Sequence, residues 1–288
     1  MRQLIVNADD FGLTAGVNQA IAELHAAGAL TSATLMARAA ATEEAIALAQ
    51  ATPTLGVGCH VVLVDGEPVL PPTSLPTLVN AKSGQFPPTL GKFLKRLLGG
   101  SLRAAEIEAE VAAQIEKLKS AGLRLTHIDT HKHTHMFPGV LRPILRAARA
   151  AGIRAVRNPF EPAWSTRATR RAANVRRLEV KLLRRMEPVF RRIVAEEGFI
   201  TTDGAIGVLA TGTLDAATVT DLLRAMPEGT FELVSHPGYN DAALARIRTR
   251  LLASRETERN ALMAVKEFPA LQLASFADLQ PATRTSPT

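Results

Sequence analysis

Short apolar runs with β-strand character alternate with stretches of helical periodicity along most of the chain. Strands are predicted at residues 3–6, 30–37, 55–64, 124–131, 153–158, 204–210, 230–238 and 271–276. Helices are predicted at residues 16–28, 42–51, 102–121, 139–152, 167–194, 215–226 and 241–265. Strands that alternate with helices in this way build a parallel sheet.

This repetition shows no clear break, which favours one domain over residues 1–280 rather than two domains. The predicted fold class is α/β, a distorted, TIM-like (β/α) barrel with seven or eight strands. Residues 65–91 are rich in Pro, Gly, Thr and Ser and are predicted to form a long functional loop. Residues 281–288 are predicted to be a disordered tail. Catalytic groups of such barrels lie at the C-terminal ends of the strands, so motifs there are candidate sites.

Composition narrows the functional classes. The 288 residues can bury a large core, and the single cysteine, Cys59, excludes an internal disulfide framework. The sequence has no apolar run long enough for a membrane span and no apolar stretch of a signal peptide near its start. We therefore expect a cytoplasmic protein. It also lacks GxGxxG, Walker, GxSxG and CxxC patterns, which leaves nucleotide binding and serine or cysteine catalysis without support.

Residues 127–135 read HIDTHKHTH and hold four of the seven histidines of the chain. Period two is the spacing of a strand, so these histidines and Asp129 share one face for as long as the strand persists. A barrel strand that ends near Asp129 would place His131, His133 and His135 on the catalytic rim. Imidazole is a common ligand of zinc and of transition metals. The run therefore predicts a metal or catalytic site rather than an adventitious histidine-rich loop.

Two further motifs follow predicted strands. NADDFG (7–12) holds Asp9 and Asp10, adjacent carboxylates that repel each other unless a cation or a shared proton relieves the repulsion. One of them could bind a metal while the other acts as a base, or the pair could be a solvated turn that caps the next helix. GCHVVL (58–63) places His60 near a strand end, as a metal ligand or as a packed core histidine.

His236 and Arg157 also lie where predicted strands end. In ELVSHPGY (232–239), Pro237 and Gly238 force a turn after His236, which could serve as a general acid or as a structural turn residue. In AVRNP (155–159), Arg157 ends a predicted strand. Its guanidinium could bind a catalytic carboxylate or a substrate oxygen, or could form a surface salt bridge.

The net charge of +7 comes from one region, because residues 165–192 hold ten Arg or Lys against two Glu. Within 167–194, apolar residues recur with helical spacing and arginines occupy the other faces, and Pro188 is expected to kink or divide the helix. Two interpretations stay open: peripheral contact with an anionic membrane, or a surface helix that covers the barrel with solvated arginines. Nucleic acid is not an expected partner, because stacking aromatics are missing.

Taken together and in this order, NADDFG, GCHVVL, THIDTHKHTHMFP and ELVSHPGY resemble the motifs of the YdjC-like carbohydrate deacetylases nearly end to end. The segment LVDGEPVLPP (63–72) resembles the hopanoid-biosynthesis-associated branch. The family resemblance implies a barrel-like fold and a metal-dependent hydrolase that removes N-acetyl groups from amino sugars. The branch implies conversion of an acetylglucosaminyl hopanoid to a glucosaminyl hopanoid. Lys132 departs from the family, which often has a histidine there.

The resemblance also implies roles for individual residues. Asp10, His60 and His131 match the metal ligands, Asp9 the general base and His236 the general acid. Residues expected to support the site or to bind substrate are His133, His135, Asp129 and Arg157. One divalent metal ion is expected. Two imidazoles and one carboxylate suit zinc, with magnesium, manganese, cobalt and nickel as alternatives.

Three other functions remain open at this point. The substrate could be a soluble chito-oligosaccharide, the enzyme could be a metal-dependent phosphoesterase, or the protein could bind a ligand through a metal without catalysis. A lipid-linked amino sugar as substrate would place the protein at the inner face of the cytoplasmic membrane, with 167–194 in contact with the lipid. The sequence does not indicate an oligomeric state.

Overall fold

Seven parallel strands form one curled sheet in the computed structural model, which describes residues 1–279. The predicted tail, 281–288, lies outside the described residues. The strands are β1 (Arg2–Phe11), β2 (Ser32–Leu35), β3 (Gly56–Val61), β4 (Leu125–Thr130), β5 (Gly204–Ile206), β6 (Gly229–Ser235) and β7 (Gln272–Ala274). Their order is β4-β3-β2-β1-β6-β5, and β7 pairs with the first half of β1. Strand β1 is therefore the centre of the sheet.

The sheet curls because hydrogen bonds continue beyond β4. A single bridge joins Ile128 to Val156, and a second joins Ala155 to Ile200 on the way to β5. The resulting half-barrel confirms the predicted distorted (β/α) barrel. The predicted strand at 153–158 is wrong as a regular strand, because only these bridges form and Pro159 then has no N–H to continue the pairing.

Helices follow the strands and cover the sheet. They are α1 (Ala15–Ala26), α2 (Thr42–Ala51), α3 (Leu90–Leu98), α4 (Ala104–Ser120), α5 (Pro138–Ala150), α6 (Ala163–Ala168), α7 (Asn174–Leu183), α8 (Glu187–Glu196), α9 (Ala216–Ala225) and α10 (Ser254–Leu262). Their apolar faces and the strands form one large, mostly aliphatic core. Among the described residues, no helix is both long enough and apolar enough to cross a membrane.

The helices of the structure differ from the predicted helices in three places. Helix α3 was not predicted. The helix predicted at 241–265 is reduced to α10 and short 3-10 turns, because the Asp241 side chain accepts the backbone N–H groups of Gly16 and Leu244 and turns the chain there. The helix predicted at 167–194 is divided into α6, α7 and α8, and Pro188 occupies the first turn of α8, where a helix tolerates proline.

Buried carboxylates of α4 fix the long loop that follows β3. The Glu110 carboxylate accepts the backbone N–H groups of Val69 at 2.8 Å and Leu70 at 3.0 Å. Glu106, one turn earlier, accepts two further loop amides at 2.8 and 3.1 Å. The predicted loop is thus held at the C-terminal end of β3 by hydrogen bonds to ionisable groups.

We expect Glu110→Ala to lower the free energy of unfolding by about 2–4 kcal/mol, because two half-buried loop amides lose their buried carboxylate acceptor. Urea denaturation followed by circular dichroism measures this change. Glu116→Ala, at an exposed position of the same helix, is the matched control and should change the free energy by less than about 0.5 kcal/mol. Equal effects of the two variants would contradict the tethering role of Glu110.

Candidate active site

A distortion at the end of β1 brings two consecutive carboxylates into one place. The pairing of β1 with β2 shifts register between Ala8 and Phe11, and Asp10 has a φ of 64°, in the left-handed region. Successive side chains of a regular strand point to opposite faces. Here Asp9 and Asp10 are both buried at the mouth of the half-barrel and both contact residues of the same site.

Asp10, His60 and His131 meet at this mouth. His60 comes from the end of β3, and His131 follows β4 directly. Asp10 Oδ1 lies 3.3 Å from His131 Nδ1 and 3.6 Å from His60 Nε2, and the two imidazole nitrogens are 3.4 Å apart. Three groups distant in sequence therefore lie together at this mouth.

The geometry and chemistry of this triad fit a metal ion. Asp10 Oδ1 is buried without a hydrogen-bond partner, which is costly unless another group satisfies it. Metal–ligand bonds of about 2.0–2.2 Å in a tetrahedron give ligand–ligand distances of about 3.3–3.6 Å. The three measured distances, 3.3, 3.4 and 3.6 Å, lie in this range. The triad is thus compatible with a divalent metal site.

Groups around the triad fix its donor atoms. Asp129 lies 2.9 and 3.1 Å from His60 Nδ1, so this nitrogen donates to the carboxylate and Nε2 faces Asp10. Such a carboxylate–histidine pair is typical of metal sites. Arg255 donates to Asp10 Oδ2 at 2.6 Å, which leaves Oδ1 for the triad. Burial alone would raise the pKa of Asp10, but the charge of the Arg255 guanidinium holds it well below its usual value.

Arg157 lies at the centre of the carboxylates. Its fully buried guanidinium binds Asp9 at 2.6 and 2.9 Å, Glu232 at 2.6 and 2.8 Å, and also Asp129. The interpretation of Arg157 as a surface salt bridge is therefore wrong. Burial would raise the pKa of Asp9, but Arg157 holds it far below its usual range. Burial raises the pKa of Glu232 to about 7.

His236 faces Asp9 from the end of β6. Its Nε2 lies 3.7 Å from Asp9 Oδ2, and its Nδ1 lies 3.6 Å from Glu258 Oε2. Glu258 also accepts the backbone N–H of His236 at 2.7 Å and that of Gly212 at 3.0 Å. Burial would lower the pKa of His236, but Glu258 and Asp9 raise it above its ordinary value.

The other histidines of the 127–135 run lie outside the triad. Strand β4 ends at Thr130, as expected, and the positive φ of the following residues, 58° at Lys132 and 51° at His133, turns the chain. His135 is buried and lies 2.7 Å from the Thr130 hydroxyl and 3.2 Å from the Arg157 carbonyl oxygen. It supports the backbone of Arg157. Among the described residues, His133 belongs to neither of the two groups of side chains that could hold a metal ion.

A second acidic and histidine cluster, formed by Asp9, His60 and Asp129, is a weaker candidate for a metal. The guanidinium of Arg157 already binds both of its carboxylates, and His60 Nδ1 is engaged by Asp129. A cation there would have to displace Arg157 and would meet its positive charge. In the triad of Asp10, His60 and His131, the guanidinium of Arg255 binds only Asp10 Oδ2 and leaves Oδ1 for a cation.

Five residues of the site were not identified from the sequence: Asn7, Thr34, Glu232, Arg255 and Glu258. Glu232 had a detectable signal, because it is a charged residue inside an apolar strand. Arg255 and Glu258 had none, since they lie in a segment whose pattern indicated only a helix. Thr34, on β2, donates to Asp9 at 3.2 Å and lies 3.1 Å from His60 Nδ1.

Known proteins are similar in sequence to this chain, some over about half of its length and one over most of it. A carbohydrate deacetylase of Brevibacillus brevis is 43% identical over 146 residues, which are 51% of this chain and 55% of the relative. A carbohydrate deacetylase of Thermoanaerobacter pseudethanolicus is 29% identical over 265 residues, 91% of each chain. A chitooligosaccharide deacetylase of Escherichia fergusonii is 38% identical over 53% of this chain and 58% of the relative. The Brevibacillus and Escherichia alignments thus span less than two thirds of those proteins.

Solved structures share the fold. The crystal structure titled as a putative cellobiose-phosphate cleavage protein of Enterococcus faecalis matches with a TM-score of 0.75 and 26% identity, over 96% of this chain and 97% of that one. A lactam utilization protein of Thermus thermophilus matches with a TM-score of 0.53 and 15% identity, over 95% and 99%, and shows the fold alone. A family model described as YdjC-like protein matches residues 3–272. The chain therefore belongs to the YdjC-like family.

Proposed function

We propose that this protein is a metal-dependent carbohydrate N-deacetylase that hydrolyses the acetamide of an N-acetylglucosamine-bearing substrate. The observation that carries the proposal is the triad of Asp10, His60 and His131 beside the facing pair Asp9 and His236. The relative from Thermoanaerobacter, which aligns over 91% of both chains, is named a carbohydrate deacetylase and supports the reaction class.

Asp10, His60 and His131 would hold one divalent ion, and their donor set suits zinc, with magnesium, manganese, cobalt or nickel as alternatives. When bound, a divalent cation supplies positive charge that polarises an amide carbonyl and lowers the pKa of water. The protein's own part is to keep the donors in place: Arg255 fixes Asp10, and Asp129 fixes His60.

Asp9 is the proposed general base. Asn7, Thr34 and Arg157 donate to Oδ1, whereas Oδ2 accepts from Arg157 alone and faces His236. The low pKa that Arg157 causes keeps the carboxylate ionised, so it is ready to accept a proton. Because Oδ2 is the less saturated oxygen, it is the atom that would take the proton from the attacking water.

His236 is the proposed general acid. Its Nδ1 faces Glu258, so Nε2 is the nitrogen available to donate a proton on the side of Asp9. An amine leaves badly unless it is protonated, and the raised pKa of His236 favours the imidazolium form. A base and an acid 3.7 Å apart could supply the two proton transfers that amide hydrolysis requires. General acid–base catalysis contributes about 10²–10⁴-fold.

The proposed physiological substrate is a lipid-linked amino sugar, an acetylglucosaminyl hopanoid, with a soluble chito-oligosaccharide as the alternative. The lipid substrate is supported by segment 63–72, which resembles the hopanoid-associated branch. Asp65 of this segment pairs with Lys132 at 2.7 Å and joins the long loop to the rim beside His131. The relative named chitooligosaccharide deacetylase favours the soluble alternative. Phosphoesterase activity is less supported, since many phosphoesterases use two metals and Arg157 occupies the second cluster.

We expect metal-loaded protein to release acetate from an N-acetylglucosaminyl lipid, with loss of one acetyl group in mass spectrometry. Chito-oligosaccharide, assayed in parallel, identifies the preferred acceptor. Asp9→Asn should lower turnover by about 10²–10⁴-fold on either acceptor, because the base is lost while the triad stays intact. Absence of acetate release from both acceptors, or near-normal turnover of Asp9→Asn, would contradict the proposal.

His60→Ala and His131→Ala should each lose bound zinc, because each variant removes one of three donors. Elemental analysis of the purified variants, after dialysis against a limiting zinc concentration, measures the stoichiometry. His25→Ala is the matched control, since His25 lies on α1 and contacts Leu30 and Thr54 rather than the triad. Stoichiometric zinc in His60→Ala would reject this residue as a ligand.

Glu258→Gln tests the positioning of His236. Loss of the carboxylate charge should lower the pKa of His236, so the decline of kcat/KM at high pH should move to lower pH. At neutral pH we expect a decrease of about 10-fold or more, within the range of general acid catalysis. Glu258→Asp should restore part of the profile. A uniform decrease with an unchanged pH profile would indicate a purely structural role.

A further inference from the structure

Helix α7 turns its apolar residues outward. Val175, Leu178 and Leu182 are 71%, 57% and 47% exposed, and the helix contains no buried residue. Their spacing, i, i+3 and i+7, places them in one stripe, which we call the α7 stripe. A surface helix normally turns such a stripe toward the core. The neighbouring α8 does so, with Phe190 and Ile193 buried.

Two arginines attach α7 to the protein, together with Leu183 at its end, which packs against the core. Arg176 donates to the carbonyl oxygens of Val208 at 2.9 Å and Leu209 at 3.2 Å. Arg177 donates to two carbonyl oxygens in and just after α6, at 2.5 and 2.6 Å. The orientation of the helix is therefore held by specific hydrogen bonds. Exposure of the α7 stripe follows from this attachment.

The α7 stripe lies beside the mouth of the half-barrel. Arg176 binds the loop that follows β5, and this loop is at the C-terminal end of the strands, where the candidate site lies. The same loop reaches the site through Gly212, whose N–H donates to Glu258, the residue that contacts His236. A surface that binds the α7 stripe would therefore lie close to the entrance of the site.

Basic side chains flank the α7 stripe. Lys181 and Arg185 each follow a leucine of the stripe by three residues, and both are exposed. Within residues 1–279, neither forms a salt bridge, whereas Arg170 and Arg171 pair with acidic residues near α9. Glu179 is the one acidic residue of α7. An apolar stripe with a basic border is the pattern of a helix that lies in the interface of an anionic membrane.

We propose that α7 docks on the surface of an anionic lipid bilayer, with Val175, Leu178 and Leu182 in the boundary between headgroups and acyl chains. Lys181 and Arg185 then lie over the anionic headgroups, where each basic residue adds attraction. The charge of the border favours this occupant over a second copy of this basic chain, which carries a net charge of +7. The proposal goes beyond the hydrolytic reaction, because none of these residues lies in the candidate site.

Co-sedimentation of the full chain with vesicles tests the proposal. One set of vesicles contains phosphatidylcholine alone, and the other contains equal parts of phosphatidylcholine and phosphatidylglycerol. We expect the partition coefficient for the anionic vesicles to be at least about tenfold higher at low salt and to fall as salt is added. The combined variant Val175→Ser, Leu178→Ser and Leu182→Ser, and the variant Lys181→Glu with Arg185→Glu, should each lower it by about tenfold or more.

Matched controls use exposed residues elsewhere. Leu98→Ser removes a leucine that is 78% exposed on α3, and Arg246→Glu with Arg248→Glu reverses two exposed charges. These controls should bind vesicles as the unmodified protein does. Circular dichroism should show an unchanged fold in all variants. Acetate release from a soluble acceptor should also be unchanged in the α7 variants, which separates this proposal from the proposed function.

Three outcomes would overturn the proposal. The first is equal binding of the unmodified protein to neutral and anionic vesicles. The second is unchanged binding of both α7 variants. The third is a dimer in size-exclusion chromatography that the serine variant converts to a monomer, without vesicle binding by the unmodified protein, since the α7 stripe would then be an interface between two copies of the chain.

Discussion

The rest of the site depends on the ion pairs that the buried guanidinium of Arg157 forms. A fully buried charge is costly unless it is paired, and Arg157 is paired with Asp9, Asp129 and Glu232. Its planar, forked group binds several carboxylates in fixed directions, which a lysine ammonium would not do. Through Asp9 it orients the proposed base, and through Asp129 it orients His60. One side chain thus couples the proposed base to the proposed metal ligands.

The balance of charge around this arginine is compatible with a cation at the triad. The site contains more buried carboxylates than guanidiniums. The carboxylates are Asp9, Asp10, Asp129, Glu232 and Glu258, and the guanidiniums are Arg157 and Arg255. The unsatisfied Oδ1 of Asp10 concentrates this excess between two imidazoles.

The sequence predicts the residues that end strands and misses those that reach the site from helices. Asp9, Asp10 and His60 are recognisable because a polar residue directly after an apolar run marks the mouth of a barrel. Arg255 and Glu258 leave no such mark. Helical spacing does not show which turn of a helix will reach the site, and Arg255 is more than 240 residues after Asp10 in the chain. The outward direction of the α7 stripe was equally unpredictable, since spacing defines a face but not the side that packs.

The position of β1 at the centre of the sheet determines when the site can exist. Strand β1 pairs with β2 on one side and with β6, more than 200 residues later, on the other. Asp10 receives its guanidinium partner from α10, later still. During synthesis on the ribosome, the carboxylates of the first strand are therefore not neutralised until most of the chain has been made. Until β6 has been made, β1 can pair with β2 on one side, but the side that later pairs with β6 is an open edge of an apolar strand.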